Sequence, residues 1–251
     1  MPALFTIFAI KCKLLMDAYG QALKAYFGGK KKATIKVESD IAETEYWPLK
    51  EFFHDWKNMS TIEREALKLC RGRILDVGAG SGSHSLWLQS EGLDVTPIDV
   101  SPGAVEVMTE RGLHAQHIDF YAAPGYAPLG GKFDTIISLM NGAGIAGTMD
   151  NMPRFLLTCK QLLNDGGRIL MDSSDLIYLF MDEDGSALID LDSSYYGELR
   201  YKVSYAGETD EEFPWLFIDY DNLEEIARRE GFKCRKVFED DHYQYLAELS
   251  L

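Results

Sequence analysis

Cysteine is scarce in this sequence, and the spacing of the few cysteines argues against two kinds of structure. Cys12, Cys70, Cys159 and Cys234 are far apart, form no CxxC pair and have no group of histidines near them. A cysteine zinc site or a disulfide framework would need closer spacing. We therefore expect reduced, mostly buried thiols and no metal site.

Positive charge is also scarce. Lysine and arginine together number 25 against 40 aspartates and glutamates, which gives a net charge of -15 over 251 residues. An acidic surface repels phosphate backbones, so nucleic acid is not expected as a partner. The one dense basic run, residues 30–32, follows two glycines and is interpreted as a solvated turn.

Long apolar runs are absent as well. Residues 1–10 are apolar, but a helix that crosses a bilayer needs about 20 such residues. The positive charges of Lys11 and Lys13 follow this run, whereas those of a signal peptide precede it. We expect a cytoplasmic protein with no membrane partner. Two interpretations of the N-terminus stay open, a short helix that begins at Met1 or a natural start at Met16.

The chain from residue 72 onward alternates strand-like and helix-like runs, which predicts an α/β fold with a parallel sheet and crossover helices. The predicted strands are residues 73–77, 94–98, 114–118, 133–139, 168–171, 232–238 and 243–249. The predicted helices cover residues 83–91, 101–112, 150–163 and 221–231. Ser101 and Pro102 favour the start of the second helix, and Asp221 with Glu224 resembles a capping box at the start of the last.

Two regions lie outside this alternation. Residues 1–71 are predicted to be a helical extension, rich in aromatic side chains, that could close over a site as a lid. Residues 174–220 interrupt the second part of the chain, 72–251, with two strand-like arms at 198–205 and 215–220. We interpret these arms as an inserted antiparallel hairpin that covers a substrate or forms a dimer surface.

A glycine-rich loop between the first predicted strand and helix indicates a ligand site. Asp76 lies near the end of the strand, and Gly78, Gly80 and Gly82 follow at two-residue spacing. Glycine lets the backbone turn sharply and lets a ligand approach it closely, and the helix N-terminus offers free N–H groups to an anion. Asp99 ends the next strand, where an acid can accept both hydroxyls of a ribose.

Two details separate the candidate cofactors. The dinucleotide fingerprint is G-x-G-x-x-G, but Ser83 stands where its third glycine belongs. A carboxylate at Asp76 would repel a pyrophosphate, whereas it would attract the amino group or sulfonium of an amino-acid cofactor. The loop therefore favours S-adenosylmethionine, and a nicotinamide-dependent oxidoreductase stays as an alternative.

The sequence resembles the class I S-adenosylmethionine-dependent methyltransferases over about residues 70–172. The matching blocks are residues 75–82, 95–101, 118–120, 133–139 and 162–170. The resemblance implies a seven-stranded, mostly parallel sheet with the last strand antiparallel and helices on both faces. It also implies an enzyme that transfers a methyl group to a small-molecule acceptor.

The resemblance assigns cofactor roles along the predicted strand ends. It places the glycine loop at the methionine portion, Asp76 near the amino end, Asp99 at the ribose, and Asp119 at the adenine amine with Phe120 beside the ring. The full set of implied cofactor contacts is Asp76, Gly78, Ala79, Gly80, Gly82, Asp99, Val100, Asp119, Phe120, Leu139, Met140 and Asn141. Asp119 could instead cap a loop. Residues 141–144 (Asn-Gly-Ala-Gly) depart from the Asn-Pro-Pro-Tyr pattern of DNA and protein-amide enzymes.

Methyl transfer from a sulfonium is an in-line displacement, and proximity and orientation can supply most of its catalysis. A general base is needed only for an acceptor that is protonated at the working pH. Weak candidates for such a role are His54, Tyr201 and Tyr205, whereas His84 is interpreted as packed or capping. A module that binds S-adenosylmethionine without catalysis, and a homodimer, are left open.

Overall fold

The computed structural model describes residues 17–121, 129–182 and 194–251. The N-terminal apolar run, Cys12, Met16 and the middle of the predicted insertion lie outside these ranges. Cys70, Cys159 and Cys234 are free thiols. Among the described residues, no helix has the length and apolar character that crossing a membrane requires.

Six helices and twelve strands make up the described chain. The helices are α1 (Ala18–Phe27), α2 (Thr61–Leu69), α3 (Ser83–Ser90), α4 (Pro102–Glu110), α5 (Met152–Leu162) and α6 (Tyr220–Arg229). The strands are β1 (Thr34–Ser39), β2 (Glu45–Pro48), β3 (Arg73–Val77), β4 (Asp94–Asp99), β5 (Gln116–His117), β6 (Phe133–Ser138), β7 (Leu163–Ser174), β8 (Glu198–Tyr205), β9 (Glu208–Thr209), β10 (Phe213–Leu216), β11 (Lys233–Glu239) and β12 (Gln244–Ser250). Short 3-10 turns are formed by Leu49–Phe52, Gly142–Ala146, Met149–Asn151 and Ile177–Phe180.

The larger sheet has seven strands in the order β11-β12-β7-β6-β3-β4-β5. Strands β5, β4, β3, β6 and β7 pair in parallel, and β12 is antiparallel to both of its neighbours. The predicted seven-stranded sheet with its last strand antiparallel is confirmed. The central strands are apolar at successive positions because helices cover both of their faces.

Alternate residues of the central strands face different helices. Leu75 and Ile136 pack in one cluster with Phe155 of α5 and Leu223 of α6. The adjacent Ile74 and Ile137 pack in another, with Ile62 of α2 and Leu88 of α3. This separation follows from the two-residue period of a strand. It fixes where the carboxyl ends of β3, β4, β6 and β7 emerge, and those ends carry the candidate site.

The helical prediction for residues 1–71 is wrong over β1 and β2. These two strands join β8, β9 and β10 in a second, five-stranded sheet in which β1 lies between β2 and β8. In β1, buried Ile35 and Val37 alternate with the more exposed Lys36 and Glu38, which is a strand pattern. Among the described residues of this region, the α-helices are α1 and α2.

The predicted antiparallel hairpin is present, with a different second arm. Strand β8 matches the first arm, and β10 ends at Leu216 rather than continuing to residue 220. The chain leaves the sheet there because the next N–H groups take other partners. Phe217 N donates to Gly197 O, and Ile218 N donates to Ser173 Oγ on β7.

The start of α6 and the length of the third predicted strand also differ from the prediction. Helix α6 is capped by Asp219 and not by Asp221, because Asp219 Oδ1 accepts from Asn222 N at 3.0 Å while Tyr195 Oη donates to Oδ2. The third predicted strand shortens to β5, two residues long. The predicted start of α4 is confirmed, with Ser101 Oγ accepting from Ala104 N.

Helix α1 and the second sheet lie over the carboxyl ends of the larger sheet. The carboxylate of Asp17 accepts from Gly20 N at the start of α1, and from Ser101 Oγ and Gly103 N at the start of α4. On the other side, Trp215 of β10 lies against Gly144 in the turn that follows β6. The Asp17 carboxylate and the Trp215 indole ring therefore hold α1 and the second sheet against the larger sheet at two separate points. We call α1 and the second sheet the cover.

The contact between Gly144 and Trp215 leaves no space for a side chain. A Cβ on Gly144 would lie 2.0 Å from Trp215 Cε2, so we expect Gly144→Ala to lower the free energy of unfolding by about 1–3 kcal/mol through overpacking. Urea denaturation measures this cost. In a Trp215→Leu background the same substitution should cost less, and an equal cost in both backgrounds would show that the two residues do not touch.

Candidate functional site

The glycine loop has the backbone that its sequence predicts. Gly78, Gly80 and Gly82 have φ values of 71°, 56° and 81°, in the left-handed region that favours glycine. Gly78 N and Ala79 N both donate to Ile98 O, which ties the loop to the end of β4. Gly82 is the N-cap of α3 and has no side chain to accept from the first N–H groups of that helix. The start of α3 can therefore offer donors to a ligand.

Asp99 lies beside the loop and is held by two backbone donors. Its Oδ2 accepts from Gly80 N and its Oδ1 from Ser101 N, both at 2.8 Å. Burial raises the pKa of Asp99 to about 6, although these two hydrogen bonds act to lower it. Each carboxylate oxygen has a further lone pair, so the group can accept a second donor on each oxygen without moving.

Asp76 is buried between β3 and α3. Its Oδ2 accepts from Ser85 Oγ at 2.7 Å, and burial raises its pKa. The side chain thus joins the strand to the first turn of the helix behind the glycine loop. Its predicted contact with an amino group stays a prediction.

The predicted adenine residues occupy two different environments. Asp119 is exposed, and its Oδ1 accepts from Tyr121 N at 2.9 Å, which is the loop-capping arrangement left open above. Phe120 is buried, with its ring centroid 5.2 Å from that of Phe155 in the core. Val100, beside Asp99, is 67% exposed. The adenine contacts of Asp119 and Phe120 stay predictions.

The turn after β6 has an unusual backbone. Met140 and Asn141 follow Leu139 with φ values of 66° and 57°, although a non-glycine residue in this region costs about 1–2 kcal/mol. Asp172 at the end of β7 holds the turn, because its Oδ2 accepts from Asn141 N at 3.0 Å and its Oδ1 from Gly142 N at 2.9 Å. Strained backbone that is held in this way is typical of functional sites.

Asp172 is a site residue that the sequence analysis missed. It lies one residue beyond the predicted end of its strand, at the carboxyl edge where α/β sheets bind ligands, and that position was the available signal. Burial raises its pKa to about 6 against the effect of the two backbone hydrogen bonds. Nearby, Ser174 Oγ donates to Asn141 Oδ1 at 2.8 Å. The side-chain amide of Asn141 can therefore offer its N–H groups to a ligand.

Two further residues that the sequence did not indicate lie against the glycine loop. A Cβ on Gly80 would lie 2.8 Å from Tyr19 Oη of α1, and a Cβ on Gly78 would lie 2.7 Å from Ile145 Cδ1. Burial, with the charges of Asp99 and Asp17, raises the pKa of Tyr19 well above its usual range. The loop is therefore enclosed by α1 on one side and by the turn after β6 on the other.

The three weak catalytic candidates do not form one group. Tyr201 packs with Trp47 at a ring distance of 6.2 Å, and burial raises its pKa to about 12. Tyr205 lies on the same face of β8 and packs in the cluster that contains Leu23 of α1. His54 lies before α2, where its Nε2 is 2.7 Å from Glu63 Oε1.

His84 completes a small buried cluster with His54 and Glu63. His84 Nε2 donates to Glu63 Oε1 at 2.7 Å, and Glu63 Oε2 accepts from Ser60 N at the same distance in the capping box of α2. Burial acts to raise the pKa of Glu63, but the two imidazoles outweigh it and hold the pKa well below its usual range. His54 and His84 are 30 residues apart in the sequence, and no motif joins them to Glu63.

Comparison with known families gives one match that covers most of the chain. A family model described as a methyltransferase domain matches residues 50–237. A match to a curated protein is shorter: a demethylmenaquinone methyltransferase of Tropheryma whipplei is 30% identical over 99 residues, which is 39% of this chain. The matched stretch spans 40% of that relative's length.

Comparison with solved structures gives matches over nearly the whole chain. An S-adenosylmethionine-dependent methyltransferase from Bacteroides fragilis, solved in complex with S-adenosylhomocysteine, is 42% identical. The match covers 94% of this chain and 95% of that one, with a TM-score of 0.86. The CcbJ methyltransferase of Streptomyces caelestis is 13% identical, with a TM-score of 0.62 over 92% of this chain and 97% of that one, and it shares the fold.

The close approach of Tyr19 to Gly80 gives a test of the loop. Gly80→Ala should weaken S-adenosylhomocysteine binding at least about 10-fold, since a left-handed alanine costs about 1–2 kcal/mol and its Cβ would also displace Tyr19. Isothermal titration calorimetry measures the affinity. Gly92→Ala is the matched control, because Gly92 has φ 81° with nothing within 4 Å of its Cβ position. Equal losses of affinity in both variants would contradict a role for the loop.

Proposed function

Because the chain belongs to the methyltransferase-domain family, we propose that it transfers the methyl group of S-adenosylmethionine to a small-molecule acceptor. The observation that carries the proposal is the placement of Asp99 against Gly80, with both carboxylate oxygens held by backbone N–H groups. A rigid carboxylate at the end of β4 beside a left-handed glycine loop suits the ribose and the amino-acid portion of this cofactor. Family membership also favours methyl transfer over the nicotinamide-dependent alternative.

The loop and the strand ends hold the cofactor in this proposal. Gly78, Ala79, Gly80 and Gly82 provide a surface without side chains beyond one methyl group, and the start of α3 supplies N–H donors to the methionine carboxylate. Asp99 accepts from the ribose hydroxyls. Asp119 is proposed to accept from the adenine amine, which its exposed position permits, and Val100 lies beside the ribose.

The cofactor supplies a methyl carbon on a positively charged sulfonium. The role of the protein in this proposal is to bind the acceptor in line with the sulfur–methyl bond and to exclude water. The buried carboxylates of Asp76 and Asp172 place negative charge near the carboxyl edge, which stabilises a cation there. Leu139, Met140 and Asn141 form the wall nearest to the reaction in this proposal, and Asp172 keeps that wall in position.

The acceptor is proposed to lie between the carboxyl edge and the second sheet. One face of that sheet carries aromatic side chains. Tyr201 of β8 pairs with Phe213 of β10, and Trp215 lies two residues after Phe213 on the same face of β10. Aromatic walls with few polar groups suit a small organic molecule. The name of the curated relative, a demethylmenaquinone methyltransferase, is consistent with this class of acceptor.

The enclosed edge and the acidic composition together argue against a polymeric nucleic-acid substrate. Helix α1 and β10 cover the site from two sides, which restricts the size of an acceptor. The net charge of -15 adds repulsion for a phosphate backbone. Tyr201 and Tyr205 remain candidates for contact with the acceptor, and the inserted hairpin is proposed to act as its cover rather than as a dimer surface.

Replacing Asp99 tests the proposed ribose contact. Hydrogen bonds to a charged group contribute about 1.5–3 kcal/mol, so Asp99→Ala should weaken S-adenosylhomocysteine binding by roughly 10- to 100-fold or more and reduce the rise in melting temperature that this ligand causes. Asp134→Asn is the control, because Asp134 lies at the edge of the sheet opposite to the site and accepts a hydrogen bond from Arg73 N. An unchanged thermal shift in Asp99→Ala would contradict the proposal.

The raised pKa of Asp99 predicts a pH dependence of cofactor binding. The carboxylate form accepts from the ribose hydroxyls, and protonation near the folded pKa of about 6 removes this charge. Affinity should therefore be constant above about pH 7 and fall below pH 6 by up to about 10-fold per pH unit. Asp99→Asn should bind weakly and lose this dependence, and an identical slope in the variant would assign the titration to another group.

A further inference from the structure

Three potential metal ligands from separate parts of the chain meet below the glycine loop. His54 Nε2, Glu63 Oε1 and His84 Nε2 all lie within 4.8 Å of one another. Their side chains are 9%, 8% and 8% exposed. The first comes from the segment before α2, the second from α2 and the third from the first turn of α3, so the cluster joins three pieces of backbone.

One nitrogen of the cluster lacks a hydrogen-bond partner, and such a nitrogen can bind a metal ion. His54 Nε2 is buried and has no hydrogen-bond partner among the described residues. It lies 2.7 Å from Glu63 Oε1, but without the alignment of a hydrogen bond. A buried polar atom left unpaired costs about 1–3 kcal/mol. The unpaired nitrogen faces an oxygen that already accepts from His84.

We propose that His54, Glu63 and His84 bind one divalent transition-metal ion, with zinc as the best fit. Two imidazole nitrogens and one carboxylate oxygen are a known zinc ligand set, which leaves a fourth position for water. The proposed site does not depend on methyl transfer, so the two proposals can fail separately.

The geometry needs only small movements to accept the ion. Zinc lies about 2.0–2.2 Å from nitrogen and oxygen ligands in a tetrahedral site, so neighbouring ligand atoms are roughly 3.3 Å apart. Each Nε2 is 2.7 Å from Glu63 Oε1 and would move away by about 0.6 Å. His54 can move most easily, because it lies in the connection between the 3-10 turn Leu49–Phe52 and α2. To bind through Nε2, His84 would keep one ring proton on Nδ1, and a second proton, if present, would leave to solvent.

The surroundings also suit a cation. Glu63 Oε2 accepts from Ser60 N, which orients the carboxylate so that Oε1 faces the imidazoles, as outer hydrogen bonds do for metal ligands. The buried carboxylates of Asp76 and Asp172 are close enough to His84 to interact with its charge. A metal ion would add positive charge at a place where buried negative charge predominates.

The ion would fix one side of the glycine loop. Ser81 Oγ and Ser83 Oγ both donate to Phe52 O, two residues before His54. A bond from His54 to a metal held by α2 and α3 would therefore keep this connection against the loop. The proposed role of the metal is structural, with an indirect effect on cofactor affinity.

Metal binding by the 251-residue chain, freed of metal with a chelator, tests the site. We expect zinc chloride to bind once per chain in isothermal titration calorimetry and to raise the melting temperature. Cobalt(II) should give the strong visible absorption of tetrahedral coordination and the shifted proton signals of two imidazoles. No saturable binding by the wild-type chain, or an octahedral cobalt spectrum without shifted imidazole signals, would overturn the proposal.

A histidine pair provides the matched variants. His54→Ala should bind zinc at least about 100-fold more weakly, since removing even an outer partner of a metal ligand costs 10–100-fold. His242→Ala removes an exposed histidine and should bind as the wild type does. Circular dichroism of His54→Ala checks that the variant folds, and the cobalt spectrum of the wild type tests the site without any substitution. Equal zinc affinity in both variants would place the metal elsewhere.

Discussion

The hydrogen bond from Gly80 N to Asp99 Oδ2 joins the glycine loop to the end of β4, and the candidate site depends on it. The bond forms because Gly80 adopts a left-handed backbone that turns its N–H toward the carboxylate. It stabilises a buried charge, it fixes the loop, and it leaves acceptor capacity on the carboxylate for a ligand. A side chain at Gly80 would both strain the backbone and meet Tyr19.

The rest of the molecule positions a cover over this point. Asp17 accepts from the starts of α1 and α4, and Asp210 accepts from Ala18 N at 2.7 Å, so two carboxylates anchor the helix that places Tyr19 above the loop. On the other side, Asp172 holds the strained turn after β6, and Trp215 packs against that turn. Carboxylates that accept hydrogen bonds from backbone N–H groups, buried at Asp99 and Asp172 and half-buried at Asp17 and Asp210, thus recur around the site.

The local features of the site were predictable from sequence. The glycine spacing, Asp76 and Asp99 lie within one βαβ unit, where strand ends and a helix start are close in the chain as well as in space. The same holds for the start of α4, since the cap of Ser101 acts three residues away. The α6 cap is also local, since Asp219 accepts from Asn222 N three residues away, and Tyr195 Oη adds a contact from a distant segment to the same carboxylate.

The features that were missed depend on contacts between distant segments. The alternation in β1 is local, but its pairing could not be predicted because the partner strand β8 belongs to the insertion, where Val203 pairs with Val37. His54, Glu63 and His84 carry no signal as a group until α2 packs beside α3. Tyr19 likewise becomes a site residue only when α1 crosses α4 at Gly20 and Gly103, whose backbones approach too closely for a side chain.

A crystal structure of the 251-residue chain with S-adenosylhomocysteine tests the central assignment most directly. We expect the two ribose hydroxyls to lie within about 3 Å of the two Asp99 carboxylate oxygens, with the methionine portion along Gly78 and Gly80. A ribose bound away from Asp99, or a ligand that does not contact the glycine loop, would contradict the assignment.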